Sequence, residues 1–543
     1  MATEEPAFDV ALLSRTAAAR PGPDRRAFLR NCALGAGSLW LPSLVRADPC
    51  GWGPDRMGPR GSETEEAVRA GRRAAATPVR IRGVVRSGGR GLPSVGVSDG
   101  LAVTETAQDG SFELITSSDR EFVFASIPAG YSIPQNQTGT ARFYERIAPG
   151  TSGEMEASFD LQPLAVADDN HALLLLPDPQ TEDAYEMRLL HEETVPDVQQ
   201  SVLSLGDMEV FGIADGDIMF DNLELYPEYE RAVKRMGVPF FQVVGNHDLD
   251  LETRTDEAST STFSRHFGPR YYSFDRGAVH YVVLDDVFWH GRGYIGYIGA
   301  DALAWLENDL ARVEAGRPVV VAQHIPALGS LHTRTGERNP TESGAVTNRD
   351  ALYRLLEPYE AHILTGHTHE NEHVFEQGTH EHVSGAVCGG WWSGPICWDG
   401  TPSGYSVYEA RGEQITWRYK STGKPADHQL RVYPRGADPS APTEIVANVW
   451  DWDPQWTVVW YENGERRGEM ARRVGLDPLS VELHTGEDLP PRRGWVDPRP
   501  TNHLFYAPAS RDAREIRVEA TDRFGRSYSE VMAAGGSANG NAG

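Results

Sequence analysis

Between about residues 170 and 390 the chain alternates two hydrophobic rhythms. Short continuous apolar runs, HALLLLP, FGIAD, VPFFQVV, RPVVVAQ and AHILT, lack polar alternation, which marks strands buried on both faces. Between them apolar residues return at helical spacing. Leu223 to Met236 reads as one helix; a second starts at the capping residue Asp301, carries Leu303, Leu306, Leu310 and Val313, and stops at Gly316. YYSFDRGAVHYVVLDD reads as a hairpin turning at Arg276-Gly277. Strand, loop, helix, strand in this order predicts a layered α/β domain over residues 166–395 with a largely buried sheet.

The rhythm differs on both sides. Residues 78–165 hold VRIRGVV, VGVSDG, LAVTET, SFELIT and EFVFASI, split by the turn signals Asp99-Gly100 and Asp109-Gly110, the pattern of a small antiparallel sandwich. Residues 396–532 return to strands with GYSVYEA, QITWRYK, EIVANVW, WTVVWYE and EIRVEATD, and Asn463-Gly464 supplies a hairpin turn, predicting a second β-rich domain. Its tryptophans are expected to pack rather than to stack on a ligand. Residues 48–77, rich in Gly, Arg, Glu and Ala, read as a linker, and 533–543 as a disordered tail.

Composition narrows the function. A chain of 543 residues suggests about three domains at roughly 150 residues each. Its formal charge of −27, from 78 acidic against 51 basic residues, argues against a direct grip on nucleic acid or anionic lipid. Residues 1–47 resemble an export signal of the twin-arginine type: Asp24-Arg25-Arg26-Ala27-Phe28-Leu29-Arg30, a weakly apolar stretch from Cys32 to Val45, and a cleavage site at Val45-Arg46-Ala47. Pro42 interrupts the stretch, which falls short of the roughly 20 residues needed to span a bilayer. A periplasmic or extracellular protein with no transmembrane segment in its mature part is expected. In that setting Cys388 and Cys397 either close a small disulfide loop or stand as two buried thiols.

The candidate chemistry sits where the apolar runs end, the usual place for ligands in open α/β sheets. Asp178 and Gln180 follow HALLLLP, Asp217 and Asp221 follow FGIAD, and Asn246 and His247 follow FFQVV. His324 follows PVVVAQ, and His367 and His369 follow AHILT in the string GHTH. Carboxylate, amide and imidazole donors without a thiolate suit hard or borderline cations such as Mn, Fe or Zn in an open site rather than a closed structural zinc. Gly206-Asp207 also follows an apolar run but lacks the strand-like lead of Asp217. The histidines at 266, 280, 362 and 503 are expected to be core or loop residues. Trp391, Trp392 and Ser393, with Asp399 to Thr401, either wall the site or pack beneath the C-terminal domain.

The order D-x-Q, GD, GNHD, H and GHxH resembles the calcineurin-like metallophosphoesterase superfamily. The longer strings QVVGNHD, FGPRYYSF, VHYVVLDD and WWSGP are similar to an exported bacterial branch with β domains on both sides. The resemblance implies a β-sandwich core with helices outside and two divalent or trivalent metal ions. Asp217 would bridge them, with Asp178, Gln180 and His369 completing one site and Asn246, His324 and His367 the other. His247 would act as general acid, oriented by Asp221, which lies one residue further from Asp217 than in the protein-phosphatase relatives. Gln180 stands where many members use His. The implied reaction is hydrolysis of a phosphomonoester or phosphodiester, in a small molecule or an envelope polymer, by hydroxide activated between two metals. Two other readings are an inactive metal-containing glycan-binding protein and a metallohydrolase of a non-phosphate ester.

Overall fold

The computed structural model describes residues 77–533. The export signal, nearly all of the linker and all but the first residue of the tail expected from the sequence therefore lie outside the described residues. At the centre are two facing sheets. One has five strands in the order Phe240–Val243, Glu209–Asp215, Asn170–Leu176, Gly404–Arg411, Gln414–Ser421; its first three are parallel and the last two antiparallel. The other has six, in the order Tyr272–Arg276, Val279–Val283, Pro318–Ala322, Glu360–Thr365, Thr379–Val383, Glu372–Glu376, with four consecutive parallel strands in its middle.

The apolar runs become the inner strands because both of their faces are covered. Ala172 to Leu176 and Val319 to Ala322 are buried residue after residue, leaving no solvent face for a polar alternation. The helix read over 223–236 forms as a 3₁₀ turn, Leu223–Leu225, followed by Tyr226–Met236. Pro227 starts it, Tyr226, Tyr229, Ala232, Val233 and Met236 form its buried stripe, and Gly237 at φ 84° ends it in the left-handed conformation. The second helix, Ala300–Leu310, begins one residue before the expected cap. Gly299 holds the cap position, and Asp301 lies inside the first turn and pairs with Arg120 of the N-terminal region at 2.8 Å. Arg276 pairs with Val279 across the expected hairpin turn.

The N-terminal strands form two four-stranded sheets around Val79, Ile81, Val97, Phe112 and Leu114. Its later residues Phe122, Phe124, Ile127 and Phe143 join the central core, and the backbone of Ala141 donates to Phe240, tying this region to the edge of the five-stranded sheet. The C-terminal region also forms two four-stranded sheets. GYSVYEA and QITWRYK are not in them. Gly404–Arg411 pairs with Asn170–Leu176 and Gln414–Ser421 pairs with Gly404–Arg411, completing the central sheet, so the central layers extend beyond residue 395. Val407 and Tyr408 lie opposite Leu174 and Leu173 of the run HALLLL, and all four are buried.

Candidate metal centre

Five parallel strands, three from one sheet and two from the other, end on the same side of the molecule, and the loops after them meet there. Asp178 and Gln180 follow Asn170–Leu176, Asp217 and Asp221 follow Glu209–Asp215, and Asn246 and His247 follow Phe240–Val243. His324 follows Pro318–Ala322, and His367 and His369 follow Glu360–Thr365. All nine were singled out in the sequence. Asp207 instead lies in an exposed turn. Gly245 lets two of these loops close, since a Cβ there would stand 1.9 Å from the backbone nitrogen of Asp217.

Asp217 is the hub. Its Oδ1 accepts from the backbone N–H of His247 at 2.8 Å and lies 3.3 Å from His324 Nε2; its Oδ2 accepts from Gln180 Nε2 at 2.9 Å. His324 Nε2 is also 3.2 Å from Asn246 Oδ1. Asp217, His324 and His367 each bring one donor atom within 4.8 Å of the others. On the other side His369 Nε2 lies 3.5 Å from Asp178 Oδ1, and Asp178 Oδ2 accepts from the backbone N–H of His367 at 2.9 Å. The imidazoles are held from behind: His324 Nδ1 is 2.9 Å from the carbonyl of Asp215 and His369 Nδ1 is 2.6 Å from that of Gly389, leaving each Nε2 facing the centre.

These atoms fit a pair of cations. Asp178 Oδ1 and His369 Nε2 are buried without a hydrogen-bond partner, a costly state for lone pairs that face each other unless something positive lies between them. Six of the nine residues, Asp178, Gln180, Asp217, Asp221, His367 and His369, have φ between 40° and 67°. Each such non-glycine conformation costs on the order of 1 kcal/mol, and strain collected in one place is typical of a functional site. Burial alone would raise the pKa of Asp217, but the imidazoles of His324, His247 and His367 outweigh it and push the pKa below the carboxylate range.

His247 stands beside the hub. Its Nδ1 is 2.7 Å from Asp221 Oδ1, its ring stacks on Phe220 at 4.4 Å, and its Nε2 has no protein partner. Burial disfavours the charged ring, yet Asp217 and Asp221 together raise its pKa to about 9, so it holds its proton at neutral pH. The extra residue between Asp217 and Asp221 does not separate Asp221 from the imidazole, because Asp221 turns back in the left-handed conformation.

Two buried carboxylates escaped the sequence reading although both lie inside strings it quoted. Asp248 accepts from the backbone N–H groups of Ile218, Met219 and Gly245 at 3.0 to 3.1 Å and from Tyr226, clamping the loops that carry Asp217 and Asn246. Asp286 accepts from the N–H groups of His324 and Ile325 at 3.2 and 2.9 Å. The two open alternatives for the tryptophan segment divide. Trp391 stacks on His369 at 3.9 Å and walls the centre, whereas Asp399 binds the His503 ring and the backbone of Asn371 and Thr401 within the packing against the C-terminal region. Cys388 and Cys397 are separate buried thiols, not a disulfide; Cys388 Sγ sits 3.6 Å from His369 Nδ1 and 3.8 Å from Gln180 Oε1.

Three family models cover most of the described chain. One for the N-terminal part of calcineurin-like phosphoesterases matches residues 79–164, one for the calcineurin-like phosphoesterase itself matches 173–371, and one for the C-terminal part matches 381–528. The chain belongs to the calcineurin-like phosphoesterases. Among curated proteins, purple acid phosphatase 15 of Arabidopsis thaliana is 32% identical over 146 residues, 25% of each chain. The serine/threonine-protein phosphatase CPPED1 of Bos taurus is 30% identical over 188 residues, 34% of this chain and 56% of that one. The chain thus spans between a quarter and somewhat over half of these relatives' length. Among solved structures, a dimetal phosphatase from Danio rerio aligns over 46% of this chain and 96% of its own at 14% identity and a TM-score of 0.31. A purple acid phosphatase from yellow lupin aligns over 60% and 67% at 14% identity and a TM-score of 0.33.

Proposed function

We propose that the chain is an exported, metal-dependent hydrolase that cleaves a phosphomonoester or phosphodiester. The observation that carries this is the convergence of seven oxygen and nitrogen donor residues on strand ends beside His247, whose Nε2 is buried without a protein partner. Asp178, Gln180 and His369 would hold one cation and Asn246, His324 and His367 the other, with Asp217 shared. When bound, a pair of Mn, Fe or Zn ions supplies charge neutralisation at the phosphoryl oxygens and a lowered pKa for water.

The protein's own groups do the rest. Phe220 fixes the plane of the His247 ring, and Asp221 accepts from Nδ1–H and favours the doubly protonated imidazolium, so that Nε2–H can donate to the leaving oxygen or to a phosphoryl oxygen. Asp248 and Asp286 keep the ligand-bearing loops in register without touching substrate. Trp391 gives the centre an apolar wall that limits water around His369. The phosphatase names of the relatives support phosphorus as the reacting atom, and the twin-arginine pattern at Arg25-Arg26 supports export, which would place small phosphoesters or envelope polymers within reach.

The test is elemental analysis of the purified protein together with turnover of p-nitrophenyl phosphate, bis-p-nitrophenyl phosphate and p-nitrophenyl sulfate under Mn, Fe and Zn. Metal-dependent release from a phosphate ester and none from the sulfate is expected. Turnover of the sulfate alone, or bound metal without turnover of any ester, would remove the phosphoesterase reading.

A further inference from the structure

Away from the centre just described, four histidines from three neighbouring strands crowd one face of the six-stranded sheet at its edge. Parallel register sets His362 opposite His380, and antiparallel register sets His373 opposite His382. His380 and His382 are two residues apart on one strand and so share that face. His362 Nδ1 lies 3.0 Å from His382 Nε2, and His373 Nδ1 lies 3.1 Å from His380 Nε2. One ring nitrogen of each of His362, His380 and His382 falls within 4.8 Å of the others. All three are buried, and His382 Nδ1 has no hydrogen-bond partner.

Such packing wants an explanation. Two nitrogens sharing a cation at roughly 2.0 to 2.1 Å stand about 3 to 3.4 Å apart, the spacing seen here between His362 and His382 and, in the first centre, between His324 and its neighbours Asn246 and Asp217. Burial lowers the pKa of His362 to about 4 and that of His382 well below the imidazole range, so the rings present lone pairs rather than charge. The nearby guanidinium of Arg523, lying over Trp417 and Phe375, does not make the place cationic. Asp453 pairs with it at 2.7 Å, and Asp451 lies 3.1 Å from His373 Nε2, so two carboxylates face one cation. An all-imidazole set selects zinc-like or copper-like ions over magnesium or calcium.

We propose that His362, His380 and His382 form a second, mononuclear site for a borderline cation of the zinc class, with His373 linking it to Asp451 of the C-terminal region. Its place at the seam makes it a staple between the edge of the central sheet and that region. The experiment counts cations in the full chain after Zn²⁺ loading and dialysis. The double variant Asp217→Asn, His324→Asn, which empties the first centre, is expected to retain about one equivalent and to lose it when His380→Gln and His382→Gln are added. In the otherwise native chain, His380→Gln with His382→Gln is expected to lose about one equivalent while keeping the metals of the first centre. Unchanged zinc content in that native-background variant overturns the site. So does a folded Asp217→Asn, His324→Asn protein that binds neither Zn²⁺ nor Co²⁺, the latter read from its absorption spectrum. Neither readout depends on phosphoester turnover.

Discussion

Asp217 is asked to satisfy more neighbours than a carboxylate has oxygens. With Gln180, the His247 backbone and His324 all on its two oxygens, replacement by Asn keeps the shape but removes the charge that the surrounding imidazoles have gathered about. Asp217→Asn is expected to lower bound metal and turnover together, by about 100-fold or more in rate, read by elemental analysis and steady-state kinetics. His247→Asn should leave the metal content alone and slow substrates with poor leaving groups by about 100-fold more than p-nitrophenyl esters, because an activated phenolate needs no proton. Equal slowing of both classes would assign His247 to phosphoryl binding instead. All nine residues of this site were legible in the sequence, since each directly follows an apolar run or sits in a short polar string beside one. The four-histidine cluster was not. His362 looked solitary because its neighbours at 373, 380 and 382 are brought to it by strand register, which no local string records.

At the scale of elements, buried polar bridges hold the layers in register. His280, on Val279–Val283, lies 3.0 Å from Asp275 on the adjacent strand and 3.0 Å from Asp309 on the helix Ala300–Leu310. Burial opposes the charged ring, but the two carboxylates raise its pKa to about 9. A folded-state pKa above the unfolded value of about 6.5 means that the bridge stabilises fully below pH 6.5 and loses its contribution as pH rises through 9, on the order of 3 kcal/mol in all. The thermal midpoint of the native protein should therefore exceed that of His280→Gln most below pH 6.5, and the gap should narrow between pH 6.5 and 9. A gap independent of pH would show that the ring is neutral in its pocket. The inner strands were readable because continuous apolar runs leave few alternatives. The helix cap at Gly299 was not, because Asp301 is a good capping residue by type and only its tertiary partner Arg120 draws it away.

In the whole molecule the flanking regions are continuous with the centre rather than appended to it. Arg492 reaches Asp183 and Glu186 just beyond Gln180, and Arg493 pairs with Glu182 and lies over Phe220, the ring that supports His247. Among the described residues no helix is long and apolar enough to cross a membrane. A chain ending at residue 395 keeps every donor of the first centre but lacks Gly404–Arg411, the partner of Asn170–Leu176. It is expected to be insoluble or to unfold without a cooperative transition, measured by sedimentation and thermal denaturation; a cooperatively folded, metal-binding product would show that this pairing is dispensable.

That pairing has a consequence in time. The strand that presents Asp178 is synthesised 228 residues before the one that covers its open side, counting from Leu176 to Gly404. At 5 to 20 residues per second, the run Leu173 to Leu176 waits roughly ten to fifty seconds on the ribosome with an unpaired, apolar edge. The growing chain is thus open to sticking to its neighbours through that edge during the interval.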